Sequence, residues 1–408
     1  MTYTRLAQVP EQSFFLLGVR GVGKSTWARQ ALPDALRLDL LDEALFTDLL
    51  ADPSLFRQLL SGVRPDEWVV VDEVQRIPSL LNEAHRMIEE RGVRFALLGS
   101  SARKLKTAGT NLLAGRALRK AMHPLTAAEL GEDFSLDDAL QYGTIPLIWT
   151  APDRREVLQS YTHLYLREEI RAEAAVRNLS GFVRFLPVAA VMHGQTVNAA
   201  SVARDAGIAR TTVNGYLEIL DDTLLAMQLP AFEARLRVRE RRRPKLYWAD
   251  PGLVRAVKRQ LGPVAAEERG ALLEGWVLGL LRAHNEHQRI YDDIGYWAAA
   301  ESAAEVDFVL TRDGEHLAIE VKANTRYSTA MLKGLRAVAD LPGLARRILV
   351  HRGRRVFRTE DGIDVWPMDS LHEALRTDQL WPRRRLAEIP EIWNGTSPSG
   401  STACGAGG

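Results

Sequence analysis

Two short apolar runs near the start of the chain, Phe14–Leu17 and Trp68–Val71, show no polar alternation, so each reads as a parallel strand buried on both faces. A third strand follows at Val93-Arg94-Phe95-Ala96-Leu97-Leu98. Up to about residue 150 such runs alternate with amphipathic helices, which predicts a parallel sheet covered on both sides. From about 151 to 190 the pattern turns helical, with Val157, Leu158, Tyr161, Leu164 and Tyr165 at helix spacing. Residues 197–220 predict two short helices around a turn at Gly207, with Ala203 and Ile208 inside and Val213, Leu217 and Leu220 closing the core. Leu224–Leu229 and Lys245–Trp248 read as the two strands of a wing. Past residue 250, Ala271–Leu278 is an apolar helix with one acid, Glu274. Glu305–Leu310 and Leu317–Lys322 alternate like hairpin strands joined at Asp313-Gly314. The expected fold class is α/β in three parts, at 1–150, 151–250 and 251–390, with a disordered Gly/Ser-rich tail at 391–408.

A chain of 408 residues can hold two or three domains, each with its own core. The formal net charge of +1 neither argues for nor excludes a nucleic-acid partner, so the distribution of charge must decide. No charged segment followed by an apolar core opens the chain, and no apolar run approaches a membrane span, so no membrane partner is expected. With Cys404 as the single cysteine, internal disulfides and thiolate metal sites are excluded, and the expected compartment is the cytoplasm.

The chemistry begins at Gly18-Val-Arg-Gly21-Val22-Gly23-Lys24-Ser25-Thr26, between an apolar strand and a helix. This spacing suits a loop whose backbone N–H groups wrap a polyphosphate: glycines allow close approach, Lys24 reaches the β/γ oxygens and the Ser25 hydroxyl ligates Mg²⁺. The run Trp68–Val71 ends in Asp72 and Glu73, at the strand tip where open α/β sheets bind ligands. Asp72 is expected to hold Mg²⁺ through water, and Glu73 to act as the base that orients the attacking water. Ser100 or Ser101, at the end of the third strand, is a candidate sensor of the γ-phosphate. Arg116 is a candidate for neutralising charge on the nucleotide.

Two further constellations lie downstream. Arg210, Thr211 and Asn214 are expected to face outward at the start of the second helix of the helix-turn-helix, where base edges are read. The stretch Arg235–Lys245 carries seven positive charges against one acid, and Arg241, Arg242 and Arg243 within it suit contacts to a phosphate backbone. In the third part, the hairpin is expected to set Asp307 beside Glu320, with Glu320 and Lys322 on one face. An acid on one strand and Glu-x-Lys on the next is the PD-(D/E)xK nuclease constellation. Glu274, Asp307 and Glu320 would hold Mg²⁺ or Mn²⁺, and Lys322 would orient the water that attacks a phosphodiester.

On these residues the chain resembles a family of prokaryotic AAA-type ATPases that carry a C-terminal region catalogued as "domain of unknown function 4143". The likeness runs from about residue 10 to 385. Its anchors include Gly18–Thr26, Val69–Gln75, Leu97–Ser101, Leu113–Arg116, Pro244–Tyr247, Asp250–Leu253, Leu273-Glu274, Glu305–Val309 and Ile319–Lys322. The resemblance implies ATP binding through Lys24, Ser25, Asp72 and Glu73, and a winged helix placed before a restriction-endonuclease-like fold. One departure is Ala298-Ala299-Ala300, where the family tends to carry a basic residue. The expected function is a Mg²⁺-dependent ATPase, a candidate homo-oligomer, that couples ATP binding and hydrolysis to DNA binding, with DNA cleavage as a candidate second activity. The alternatives are an ATP-driven regulatory switch and a DNA-binding regulator, each built on an inactive nuclease-like scaffold.

Overall fold

The N-terminal strands are buried on both faces because alternate residues feed two different cores. Phe14, Leu16, Val70, Ala96 and Leu98 pack into one, and Phe15, Leu17, Val69, Val71, Phe95 and Leu97 into the other. This is why their sequences run apolar without alternation. The computed structural model describes residues 2–101, 103, 113, 115–165, 178–234 and 242–382. The first sheet comprises β1 (Phe14–Leu17), β2 (Leu36–Asp39), β3 (Trp68–Asp72), β4 (Arg94–Gly99) and β5 (Leu118–Ala121), in the order β2-β3-β4-β1-β5 with every pairing parallel. Helix α1 (Lys24–Ala31) follows β1, and α2 (Leu80–Arg91) precedes β4. The carboxyl ends of β1, β3 and β4 therefore share one edge, which gathers Gly18, Asp72 and Ser100.

Helices α3 (Leu136–Tyr142) and α4 (Pro146–Trp149) come next, and then a three-helix unit: α5 (Leu179–Val191), α6 (Ala199–Ala206) and α7 (Arg210–Asp222). Gly207 ends α6 at φ 63°, a left-handed cap that suits glycine. Val213, Leu217 and Leu220 are buried as the spacing predicts. The strands β6 (Gln195–Thr196), β7 (Ala226–Leu229) and β8 (Lys245–Trp248) form an antiparallel sheet in the order β6-β8-β7.

Helix α8 (Pro251–Val257) leads to the 23-residue α9 (Ala266–Gln288). The last sheet has the order β13-β14-β12-β11-β10-β9, made from β9 (Asp293–Ala298), β10 (Glu305–Arg312), β11 (Glu315–Lys322), β12 (Leu344–His351), β13 (Phe357–Arg358) and β14 (Asp364–Pro367). Ala298 and Ala299, at the departure from the family pattern, are buried. The three parts do not keep separate cores, contrary to the expectation from length. One apolar cluster runs from Phe14 through Phe182, Leu217 and Trp248 to Trp276 and Phe308. The tail at 391–408 lies outside the described residues. Among the described residues no helix is long and apolar enough to cross a membrane.

A buried carboxylate joins the parts. Asp250 is fully buried and accepts the amides of Thr144 (2.7 Å), Gly252 (2.8 Å) and Leu253 (3.3 Å). The backbones meet so closely that a Cβ on Gly252 would stand 2.1 Å from the Tyr142 carbonyl oxygen, and one on Gly143 1.7 Å from Asp250 Oδ1. Asp250→Ala is expected to lower the unfolding free energy by about 3 kcal/mol or more, at about 1–3 kcal/mol per buried amide left without an acceptor. Urea unfolding of the full chain measures it.

Candidate functional site

The loop between β1 and α1 is held by its carbonyls. Gly18 O accepts Lys24 Nζ (2.7 Å), Val19 O accepts Val22 N (3.3 Å), and Arg20 O accepts the Tyr161 hydroxyl (2.9 Å). Gly21 O accepts Leu147 N (3.2 Å), Val22 O accepts Arg5 Nη1 (2.7 Å), and Gly23 O accepts Trp27 N (2.9 Å). Six successive carbonyl dipoles are thus tied back into protein, and none competes for an anion in front of the loop. Gly21 and Gly23 have φ of 74° and 95°, which side-chain-bearing residues rarely adopt. Gly18 is required by packing instead, since its Cβ would meet the Met122 carbonyl oxygen at 2.5 Å. A cavity of about 460 Å³ opens in front of the loop, lined by Arg20, Lys24, Ser25, Thr26 and Glu73 on one side and by Tyr3, Leu125, Leu147 and Thr150 on the other. The donor set fits a polyphosphate with a hard cation: a lysine, a hydroxyl, two acids and the start of a helix.

The acids stand at the same edge. Asp72 Oδ1 accepts the Glu73 amide at 3.0 Å. Glu73 adopts φ 56°, unusual for a residue with a side chain. Its carboxylate accepts Gln75 Nε2 and lies 3.5 Å from Ser100 Oγ, while the same Gln75 amide donates to Ser100 Oγ at 2.9 Å. Gln75 is 5% exposed and is the residue that the motif reading missed as a site member; its place two residues after Glu73 was the available signal. Ser101 is buried and its hydroxyl accepts the Arg103 amide, so Ser100 is the serine that meets Glu73. Arg116 is not brought to this edge. It precedes β5, whose Leu118 pairs with Phe14 at the start of β1, and it pairs with Glu89 near the end of α2. The expected role beside this chain's own nucleotide is corrected accordingly, because the length of β1 separates Arg116 from the loop.

Arg210, Thr211 and Asn214 are exposed at the start of α7. Arg242 and Arg243 are exposed, Arg242 lying 3.6 Å from Glu233, and Arg241 falls outside the described residues. Lys245, counted in the same basic run, turns the other way. It is 3% exposed, because all four residues of β8 are buried. His193 is structural: its Nδ1 accepts the Trp248 amide at 3.1 Å, and its Nε2 lies 3.0 Å from Ala271 O.

Lys245 ends among the acids of the third part. The antiparallel register, with Phe308 opposite Ile319, sets Asp307 across from Glu320 as expected. Asp307 Oδ2 accepts the Val321 amide at 2.8 Å, and Lys245 Nζ bonds Glu305 and stands 3.7 Å from Asp307 Oδ1. Lys322 pairs with Glu320, and the Tyr247 hydroxyl donates to Glu274 Oε2 at 3.2 Å. Glu274, Asp307, Glu320 and Lys322 do converge. Yet among the described residues no three His, Cys, Asp or Glu side chains are arranged to hold a metal ion. Donors from within the chain reach each carboxylate: Tyr247 meets Glu274, Val321 N and Lys245 meet Asp307, and Lys322 meets Glu320. Burial pushes Glu274 up to about 8, helped by the Asp307 charge and opposed by Lys245. Burial also raises Asp307 and Glu320. Burial works against the charge on Lys245, but the carboxylates of Asp307, Glu274 and Glu305 push it up to about 12.

Lys245→Met is expected to destabilise the chain by about 3–5 kcal/mol, since it leaves buried carboxylates without their cation. Glu274→Gln in the same background should recover part of that loss. The sign of the pH dependence follows from Glu274. Its folded value is raised from 4.5 to about 8, so the folded chain binds the extra proton between those limits and stability falls as pH rises through them. Glu274→Gln should flatten that slope in unfolding midpoints measured across the window.

Three family descriptions match consecutive stretches of the chain: "AAA domain" at residues 10–131, "Domain of unknown function (DUF8612)" at 133–263 and "Domain of unknown function (DUF4143)" at 269–371. Among solved structures, the chain is similar to the Aeropyrum pernix ORC1 protein in complex with DNA (16% identity, 62% of this chain and 87% of that one, TM-score 0.25). It is also similar to a RuvB mutant of Thermotoga maritima (13% identity, 53% and 82%, TM-score 0.28). Likeness at these TM-scores is too loose to carry an argument. The uncharacterized proteins Rv2008c of Mycobacterium tuberculosis and Mb2031c of Mycobacterium bovis are each 30% identical over 377 residues, covering 90% of this chain and 82% of theirs. The chain belongs to the same family as these two mycobacterial proteins, and its own matched regions make it an AAA-type ATPase with a C-terminal DUF4143 region.

Proposed function

We propose that the chain hydrolyses ATP with Mg²⁺ and couples its nucleotide state to the binding of DNA. The observation that carries the catalytic half is the tied-back loop with Glu73 lining the same cavity, and with Asp72, Gln75 and Ser100 grouped around Glu73. Lys24, now on the Gly18 carbonyl, is the cation available to β/γ oxygens, and Ser25 with Asp72 would hold the metal. Bound Mg²⁺ supplies charge neutralisation between the phosphates. Glu73 orients the attacking water and takes its proton, and Gln75 with Ser100 positions that carboxylate.

The DNA half is supported by the helix–strand order of residues 179–248, by a sheet ordered β6-β8-β7, and by exposed Arg210, Thr211 and Asn214 on α7. We read this order as a winged helix, with Arg242 and Arg243 on the wing. We read 1–150, 151–250 and 251–390 as ATPase, winged-helix and nuclease-like parts. With Lys245 inside the acid cluster, the last part serves as a scaffold and not as a cleavage centre. A regulatory-switch reading shares the same ATPase and has its own support: Leu147 and Tyr161 bond loop carbonyls directly, so a change in the loop reaches helices outside the first sheet. Stimulation of turnover by DNA favours the first reading; stimulation by a protein partner alone favours the second.

Lys24→Ala is expected to lose ATP binding in a fluorescent-nucleotide titration. Glu73→Gln should bind ATP but turn over about 100-fold more slowly or worse, the usual scale for losing a general base. Gln75→Leu should lower kcat about tenfold while KM changes little, as expected of a group acting through Glu73. Wild-type turnover from Glu73→Gln would remove Glu73 from its role. In DNA binding, Arg210→Ala and Asn214→Ala should reduce discrimination between sequences, by about 1–3 kcal/mol per lost base contact. Competition between duplexes reads this out.

A further inference from the structure

Residues 322–358 hold ten Lys and Arg against a single acid, Asp340, in a chain whose net charge is +1. The fold gives five of these cations an acid from outside the stretch: Lys322 pairs with Glu320, Arg336 with Asp361, Arg346 and Arg358 with Asp364, and Arg352 with Asp137. Arg326, Arg354 and Arg355 differ. All three are exposed, and among the described residues none has an ion-pair partner.

These three arginines sit on two loops that leave the same edge of the C-terminal sheet. Lys322 at the end of β11 is in parallel register with His351 at the end of β12, so the chain emerges from both strands side by side. The loops brace each other. Arg352 N donates to Asn324 O at 3.1 Å, and the Tyr327 and Phe357 rings meet edge to face with centroids 5.0 Å apart. A Cβ on Gly353 would lie 2.2 Å from His351 Cε1 and 2.8 Å from Thr325 O, so the second loop passes against the first with no room for a side chain. Like charges are therefore held together on a fixed base, an arrangement that repels itself until a polyanion neutralises it. A planar guanidinium suits phosphate oxygens. The two aromatic rings are spent on each other and offer no platform for stacking unpaired bases, which favours the backbone of a duplex over a single strand.

We propose that the loops at 323–327 and 352–356 form a second contact surface for the phosphate backbone of duplex DNA, through Arg326, Arg354 and Arg355. The proposal rests on the DNA-binding reading above and adds a site on a different part of the chain from α7 and the wing. It contributes affinity without sequence preference.

The test is fluorescence anisotropy of the full chain on a labelled duplex of arbitrary sequence, over a salt series. The Arg326→Ala/Arg354→Ala/Arg355→Ala variant is compared with wild type and with Arg242→Ala/Arg243→Ala. The triple variant should bind more weakly, with the slope of log affinity against log salt reduced by up to about 2.7, at about 0.9 per lost phosphate contact. Its melting temperature should match wild type, because the three side chains are exposed and have no ion-pair partner among the described residues. An unchanged slope in the triple variant, with weakened binding in the wing variant, overturns this surface alone. Wild-type protein that binds no duplex overturns the DNA reading as well. A triple variant impaired on single-stranded RNA but not on the duplex overturns the assignment to duplex DNA.

Discussion

The Asp250 carboxylate, buried against the turn at Gly143 and Thr144, is the constraint on which the arrangement of the sites depends. It caps α8 through the amides of Gly252 and Leu253, and the same group holds the Thr144 amide on the chain that leads into α4. Two residues beyond that turn, Pro146 and Leu147 cover the phosphate loop, and Leu147 bonds Gly21. Five residues before Asp250, Lys245 reaches into the acid cluster. One carboxylate thus fixes both the cover over the nucleotide cavity and the strand that supplies the cluster with its cation. A buried acid with several amide donors is stable only when those amides are held still. Gly143 and Gly252 allow this, since a side chain at either would displace the partner backbone.

Legibility in the sequence followed the range of the interactions. The phosphate loop and the acids ending β3 were readable because the chemistry there is local: a strand, a turn and a helix within about a dozen residues carry it. The hairpin that sets Asp307 across from Glu320 was readable for the same reason. Lys245 was not. A count of charges over Arg235–Lys245 treats seven cations alike, whereas the buried strand Lys245–Trp248 turns one of them into the protein. The partner that decides this, Asp307, lies 62 positions further along the chain. Arg116 failed on geometry: closeness in sequence to β5 says nothing about which end of the strand faces the nucleotide. The motif Asp250-Pro251-Gly252-Leu253 stood out as a pattern, but its physical reason, a cap shared with Thr144, needed the fold.

The acid cluster carries its own cations. Glu274, Asp307 and Glu320 converge, and a divalent ion there would have to compete with Lys245 and Lys322. Both lysines are covalently tethered, and neither needs to be stripped of bulk hydration on arrival. The raised values of Glu274, Asp307 and Glu320 reflect carboxylates taken out of water faster than two lysines compensate. One atom keeps the imbalance visible: Glu320 Oε2 is buried with no hydrogen-bond partner.

That imbalance also has a mechanical side. The Lys245 contacts join the sheet of β6, β7 and β8 to the sheet of β9–β14. Pulling the two sheets apart would leave buried carboxylates without a cation and a buried lysine without its anions, at a cost of several kcal/mol. The phosphate loop is joined to its surroundings by neutral hydrogen bonds, Leu147 N to Gly21 O and the Tyr161 hydroxyl to Arg20 O. Those two bonds leave the first sheet in different directions, toward the Asp250 turn and toward the helical stretch after residue 154.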